Sequence, residues 1–183
     1  RVLIRWDNAG AISERWLGLS AKRTLPKWRR DTFWRRTKPS DFTTRDDTIA
    51  VARAGGKAAV LFVDTFNGTF ETENALAAAR VLRAAGYTLH TSIKDDGHHC
   101  CGRTYLASGQ VDEAKARAGA LIDALLPLAK AGVAIVGLEP SCLLSLRDEF
   151  LVMGLGDAAQ RLAESAYLIE EFLAREHRAG RLA

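Results

Sequence analysis

The chain has 183 residues, 48% hydrophobic and 26% charged, with a net charge of +4, the profile of a globular module that can bury a core without disulfides or metals to hold it. No apolar run approaches the roughly 18 residues of a membrane-spanning helix, and residues 1–7 lack the apolar stretch and cleavage site of a secretory signal. Three cysteines, two of them adjacent, exclude the disulfide framework of a small secreted domain and fit a reducing, cytoplasmic compartment in which clustered Cys signals metal or redox chemistry.

The sequence starts on Arg1 rather than Met, so a piece of a longer protein or a processed product is expected. Residues 1–57 hold 14 Lys+Arg against 6 Asp+Glu, a net of +8, and all four tryptophans, Trp6, Trp16, Trp28 and Trp34. Short helices are expected there, one around 11–18, interrupted by Pro26, Pro39 and the stretch 37–44. After Gly55-Gly56-Lys57 the balance reverses to 12 against 16, a net of −4. The expected boundary follows Lys57: a basic Trp-rich extension or linker over 1–57, then an α/β domain over 58–183.

Residues 58–64 form a continuous apolar run ending in Asp64, the pattern of a strand buried on both faces. A helix is expected over 70–85, with Leu76, Ala79 and Leu82 on one face and Gly86 as its stop. Residues 87–92 read as a second strand. The clearest helix places Ala114, Ala118, Leu121, Ile122, Leu125, Leu128 and Ala129 on one stripe, with Pro127 expected to kink its last turn. Residues 133–138 read as a third buried strand, and helices are expected near 141–150 and over 157–175. The second of these carries Leu162, Ala166, Ile169 and Leu173 as its core face.

The order β-α-β-α-β-α predicts a small three-layer α/β domain on a parallel sheet with right-handed crossovers. Ligands of such sheets bind at the carboxyl ends of the strands. Three loops reach that edge: Asp64–Asn67, Gly97–Arg103 and Glu139–Cys142. All three cysteines, Cys100, Cys101 and Cys142, therefore fall where function is expected, although 40 residues separate Cys101 from Cys142.

Thiolates are soft anionic donors and hold zinc or iron–sulfur clusters. Adjacent cysteines are unusual for mononuclear zinc but can reach different irons of one cluster. His98 and His99 offer nitrogen donors, and Gly102 allows close backbone approach. The competing reading of a lone Cys is a small buried hydrophobe, and it applies to Cys142 taken by itself. Adjacent thiols can also form a vicinal disulfide or enter thiol exchange. His90 reads as structural and His177 as a helix-end charge. There is no phosphate-binding Gly-rich loop and no Ser-His-Asp set, so no catalytic residue is assigned in this chain.

Cys100-Cys101-Gly102-Arg103-Thr104-Tyr105, then Gly109, Asp112-Glu113-Ala114, Gly137 to Cys142 and Leu146-Arg147-Asp148-Glu149, resembles the cysteine-rich CCG domain. That domain occurs in heterodisulfide reductase, in the iron–sulfur subunit of glycolate oxidase and in the C-terminal part of FAD-linked D-2-hydroxyacid dehydrogenases. The last group is the most similar, over about residues 58–175, and residues 18–26 are similar to the linker that precedes the domain there. The resemblance implies a parent flavoenzyme that oxidises a D-2-hydroxyacid of the D-lactate or D-2-hydroxyglutarate type. Its FAD and 4Fe-4S clusters would lie outside this chain, with a flavin domain, a second CCG copy and an electron acceptor as partners. It implies Cys100, Cys101 and Cys142 as ligands of an iron–sulfur cluster or zinc, with Thr65 and Ser145 where some members carry further cysteines. It also implies a cytoplasmic protein with at most peripheral contact to the inner face of the membrane.

A non-catalytic docking module with a degenerate cysteine site is the alternative, the Trp-rich segment 1–57 supplying the interface, because aromatic and Arg residues favour interface centres. That segment has no recognised nucleic-acid motif, so no nucleic-acid partner is expected.

Overall fold

The computed structural model describes residues 14–16, 18, 20, 22, 29–91 and 98–182. Its centre is a four-stranded, wholly parallel sheet in the order β2-β1-β3-β4. The strands are β1 (Ala58–Phe62), β2 (Thr88–His90), β3 (Ala134–Gly137) and β4 (Ala166–Leu168). The two middle strands are the two continuous apolar runs, as expected when helices cover both faces. Val60 stands level with His90 on one side and Ile135 on the other.

The helices are α1 (Phe33–Arg36), α2 (Arg45–Arg53), α3 (Thr65–Thr69), α4 (Thr72–Ala84), α5 (Arg103–Ala107) and α6 (Val111–Lys130). After β3 come α7 (Pro140–Arg147), α8 (Glu149–Val152), α9 (Gly156–Ser165) and, beyond β4, α10 (Ile169–Arg178). The α/β class read from the sequence is the observed one. All seven residues of the predicted stripe on α6 are buried, and the helix runs through Pro127 to Lys130. Of the helix expected around 11–18, Glu14, Arg15 and Trp16 are helical; its other positions except Gly18, like Trp6, Trp28 and Ser92, lie outside the described residues.

Two cores flank the sheet. One joins Phe62, α6, α7, Phe150, Leu162 and Ala166. The other joins Leu61, Val63, α4, Tyr87, Phe33, Phe42 and Phe172. This division explains the largest departure from the sequence reading; the helix expected near 141–150 is also broken, at Asp148, into α7 and α8. The helix expected over 157–175 is interrupted by β4. Leu162 and Ala166 pack into the first core, whereas Ile169, Phe172 and Leu173 pack into the second. A straight helix cannot face both sides of a sheet. The chain crosses at the edge as three extended residues, pairing Ala166 with Ile135 and Leu168 with Gly137.

Residues 29–53 cover the opposite edge. Phe33 is 1% exposed within the second core, and Arg29 grips Asp31 and, on α4, Glu73 at 2.6 Å. The Thr43 amide donates to the Leu89 carbonyl at 2.9 Å, and His90 Nδ1 lies 2.9 Å from the Thr43 carbonyl oxygen. The exposed side of β2 is thus capped by local chain. No described helix is long and apolar enough to cross a membrane.

Candidate functional site

The strand order changes direction between β1 and β3, since β1 leads outward to β2 while β3 leads to β4 on the other side. The carboxyl ends of these two strands are where a doubly wound sheet gathers its ligands. Leaving β1, Asp64 is 2% exposed and caps α3 by accepting from the Phe66 and Asn67 amides at 2.9 and 3.0 Å. Asn67 Nδ2 donates to the second carboxylate oxygen at 2.7 Å. This cap fixes Thr65 at the start of the helix. Leaving β3, Glu139 caps α7 through the Ser141 amide, with Pro140 at the first helical position. That turn sets Cys142 on the inner face of α7.

The loop after β2 brings the adjacent pair to the same place. Cys100 is half-buried, and its Sγ accepts the Gly102 amide proton at 3.4 Å. The Thr65 hydroxyl lies 4.0 Å away. The Cys101 thiol interacts with those of its chain neighbour Cys100 and of Cys142. Cys101 and Cys142 are 3% and 6% exposed, within the first core. The sulfurs form a row from surface to interior, Cys100–Cys101–Cys142, and all three are free thiols.

The surroundings of Cys100 and Cys101 hold these two thiols protonated. The hydrogen bond with Cys101, then burial, raises Cys100 well above a free thiol. Cys100 acts downward on Cys101, but contact with Cys142 together with burial pushes it up to about 12.

Gly102 makes the loop possible. It sits at φ +81°, and a Cβ there would fall 2.8 Å from the Ala114 carbonyl oxygen of α6. Next to it Arg103 forms an ion pair with Glu149. The Cys-Cys-Gly-Arg stretch and the Leu-Arg-Asp-Glu stretch, far apart in sequence, are therefore in direct contact. Arg117 lies beside this loop, stacked over Tyr105 at 5.6 Å and paired with Glu113 at 2.7 Å.

The two histidines part company. The exposed His98 tilts its ring onto Trp34 at 4.9 Å. Neighbouring groups displace part of the water around the ring, which lowers its pKa, His99 adds to this, and Asp64 pulls the other way. Trp34 is seated because Gly68 leaves room for it; a Cβ there would come within 2.7 Å of the indole. His99 Nε2 is buried with no hydrogen-bond partner among the described residues. Ser145 is buried, and its hydroxyl donates to the Ser141 carbonyl at 2.8 Å. Among the described residues, no three His, Cys, Asp or Glu side chains surround one point closely enough to hold a metal ion.

Sequence reading missed a second feature at this edge. A crevice of about 300 Å³ opens beside the strand ends, lined by Phe66, Asn67, Leu138, Glu71, Glu139 and Glu170 among others. Phe66 is 49% exposed there. The strand order would have drawn attention to it, but that order depends on β4, which hydrophobic periodicity hid inside a helix. No family model, no curated protein and no solved structure matches this chain.

Proposed function

We propose that the chain is the cysteine-rich module of an FAD- and iron–sulfur-dependent oxidoreductase of the D-2-hydroxyacid type, and that Cys100, Cys101 and Cys142 are its electron-transfer or metal-binding site. One observation carries this reading. Two loops 40 residues apart deliver three free thiols to one row at the carboxyl edge of a parallel sheet. The chemistry of the donor set suits a soft metal centre: three sulfurs, with the unpartnered His99 Nε2 in the residue before them. A cluster or zinc would be held by Cys100, Cys101 and Cys142, with Thr65, His98, His99 and Gly102 around it. An iron–sulfur cluster would supply one-electron capacity there. The protein's own part is to release thiol protons on binding, to shield the inner sulfurs from solvent and to hold the loop through Gly102. FAD, the 4Fe-4S centres and the hydroxyacid site belong in this reading to other parts of the parent enzyme.

Anaerobic reconstitution with ferrous iron and sulfide tests it. The expected result is visible charge-transfer absorption with bound iron and labile sulfide, lost in Cys101→Ser. Colourless, metal-free protein overturns it.

A second reading is favoured by the burial of Cys101 and Cys142 in an apolar core and by the row-like arrangement of the thiols. In it the module docks other domains and its cysteine site is degenerate. Cys100→Ser would then leave turnover of the parent enzyme unchanged, while removal of residues 1–28 would break assembly.

A further inference from the structure

The crevice beside the strand ends opens where β1 and β3 lead away from each other, the position at which parallel sheets take small ligands. It encloses about 300 Å³, and none of the three cysteines lines it. We infer that it binds a small organic cation, an ammonium or guanidinium group carried on a short apolar stem.

The sign of the charge follows from the lining. Glu71, Glu139 and Glu170 bring three carboxylates to it, and no Lys or Arg is among the described residues that line it. Parallel sheets often hold phosphate at this place, because helix N-termini offer free amides there. Here those amides are taken. Asp64 accepts from the Phe66 and Asn67 amides of α3, and Glu139 accepts from the Ser141 amide of α7 at 3.2 Å. The charge left over is negative.

Acidic residues at helix starts ordinarily serve the helix; Asn67 is what sets this place apart. It is 5% exposed and lines the crevice. Its Nδ2 donates to Asp64 Oδ2 at 2.7 Å, and because a carboxylate only accepts, the orientation of the carboxamide is fixed. Its oxygen Oδ1 is left on the other side. No described group donates to that oxygen, and it is not sealed from solvent. An N–H held in the crevice completes it.

Spacing selects an organic cation over a metal ion. No three acidic, His or Cys side chains among the described residues come close enough to hold one ion. The carboxylates therefore suit a cation whose N–H groups are spread over several atoms. Glu71 is steadied by Asn74 Nδ2 at 2.9 Å and Glu139 by the Ser141 hydroxyl at 2.8 Å, each through one oxygen, which leaves the other open. Phe66, 49% exposed, offers its ring to the stem or the cation.

Agmatine, a guanidinium and an ammonium joined by a short alkyl chain, is the probe. It is titrated into the whole, metal-free chain, and backbone amide shifts are followed by NMR, so the outcome is independent of reconstitution with iron. The expected result is saturable binding with a Kd of about 1 mM or tighter, and with the largest shifts at Phe66, Asn67, Leu138 and Glu139. Glu71→Gln combined with Glu170→Gln, both at exposed positions, should weaken binding about tenfold. Phe66→Ala should weaken it about threefold. A neutral diol of the same chain length should not bind, and glutarate should not compete. Shifts that never saturate, a largest response away from these strand ends, or an unchanged affinity in the double variant overturns the proposal. Displacement of agmatine by magnesium at matched ionic strength overturns it as well, since it marks a site for a compact ion. The wild-type shift map decides the matter even if a variant fails to fold.

Discussion

At the scale of single residues, two positions carry constraints that nothing else in the chain can supply. Gly102 combines a left-handed backbone with a 2.8 Å approach to the Ala114 carbonyl. An L side chain in that conformation costs about 1–2 kcal/mol, and the oxygen it would meet is backbone and cannot swing aside. Gly102→Ala is expected to destabilise the fold by about 2 kcal/mol or more, read as a lower midpoint in urea, and to raise the reactivity of Cys100 toward a thiol reagent as the loop shifts. The second position is Glu176, 2% exposed and bonded by Arg181, Tyr87 and Arg175. The Arg181 hydrogen bonds, ahead of the cost of burial, hold its carboxyl down to about 2. A folded-state pKa below the unfolded value near 4.5 means that the stabilisation is complete above about pH 4.5. It is lost as pH falls toward 2. Arg175 and Arg181 are 40% and 50% exposed, so solvent screening trims the effect. Glu176→Gln should cost roughly 2 kcal/mol at pH 7, with the gap to wild type closing as the pH approaches 2. Denaturation curves at pH 7, 4 and 2.5 would show it. Arg175 and Arg181 lie close to Glu176 in sequence, but nothing there marks it as buried, because Tyr87, which closes over it, is 89 residues away.

At the scale of elements, the sequence is legible where one helix or strand meets one core. The stripe on α6 and the runs in β1 and β3 are of this kind, and their periodicity maps directly onto burial. It is misleading where an element serves two cores. Leu162, Ala166, Ile169 and Leu173 are spaced as a helix face, yet the second pair packs on the opposite side of the sheet from the first. Spacing records which residues are apolar and not which core receives them. The candidate site was legible for a different reason. Any βαβ arrangement sends the residues after each strand to one edge, so Thr65, the Cys100–Cys101 pair and Cys142 could be grouped before their contacts were seen. The turn of His98 onto Trp34 could not be read, since it depends on the space that Gly68 leaves. The pairing of Arg103 with Glu149 also joins elements that sequence separates, tying α5 to α8 beside the thiols. Both partners are partly exposed, so a double-mutant cycle of Arg103→Ala and Glu149→Ala should return a coupling of about 1 kcal/mol, weakened by salt. Additive effects of the two substitutions would show that the pair contributes nothing to holding α5.

At the scale of the molecule, composition and packing divide the chain at different places. Charge and tryptophan content change after Lys57, whereas Phe33, Phe42 and Thr43 already belong to the sheet: two fill the second core and the third hydrogen-bonds to β2. Charge is a property of surfaces, and a basic segment can close a core as well as any other if it places a few aromatics inward. Removing residues 1–57 would strip Phe33 and Phe42 from their core and uncover the edge of β2. Removing only residues 1–28 would keep Arg29, its grip on Glu73, and everything beyond. The shorter truncation is therefore expected to melt within a few degrees of the full chain, and the longer one to aggregate or unfold. Phe33→Ala in the full chain isolates the packing share of that difference. Phe33 is 1% exposed with Phe42, Trp34 and α4 around it, and such a truncation costs about 3–5 kcal/mol. If Phe33→Ala costs less than about 1 kcal/mol in urea, segment 29–57 is an appendage on a self-sufficient α/β unit. A loss in the full range makes those residues part of the domain, and the interface with any partner must then be sought ahead of Arg29.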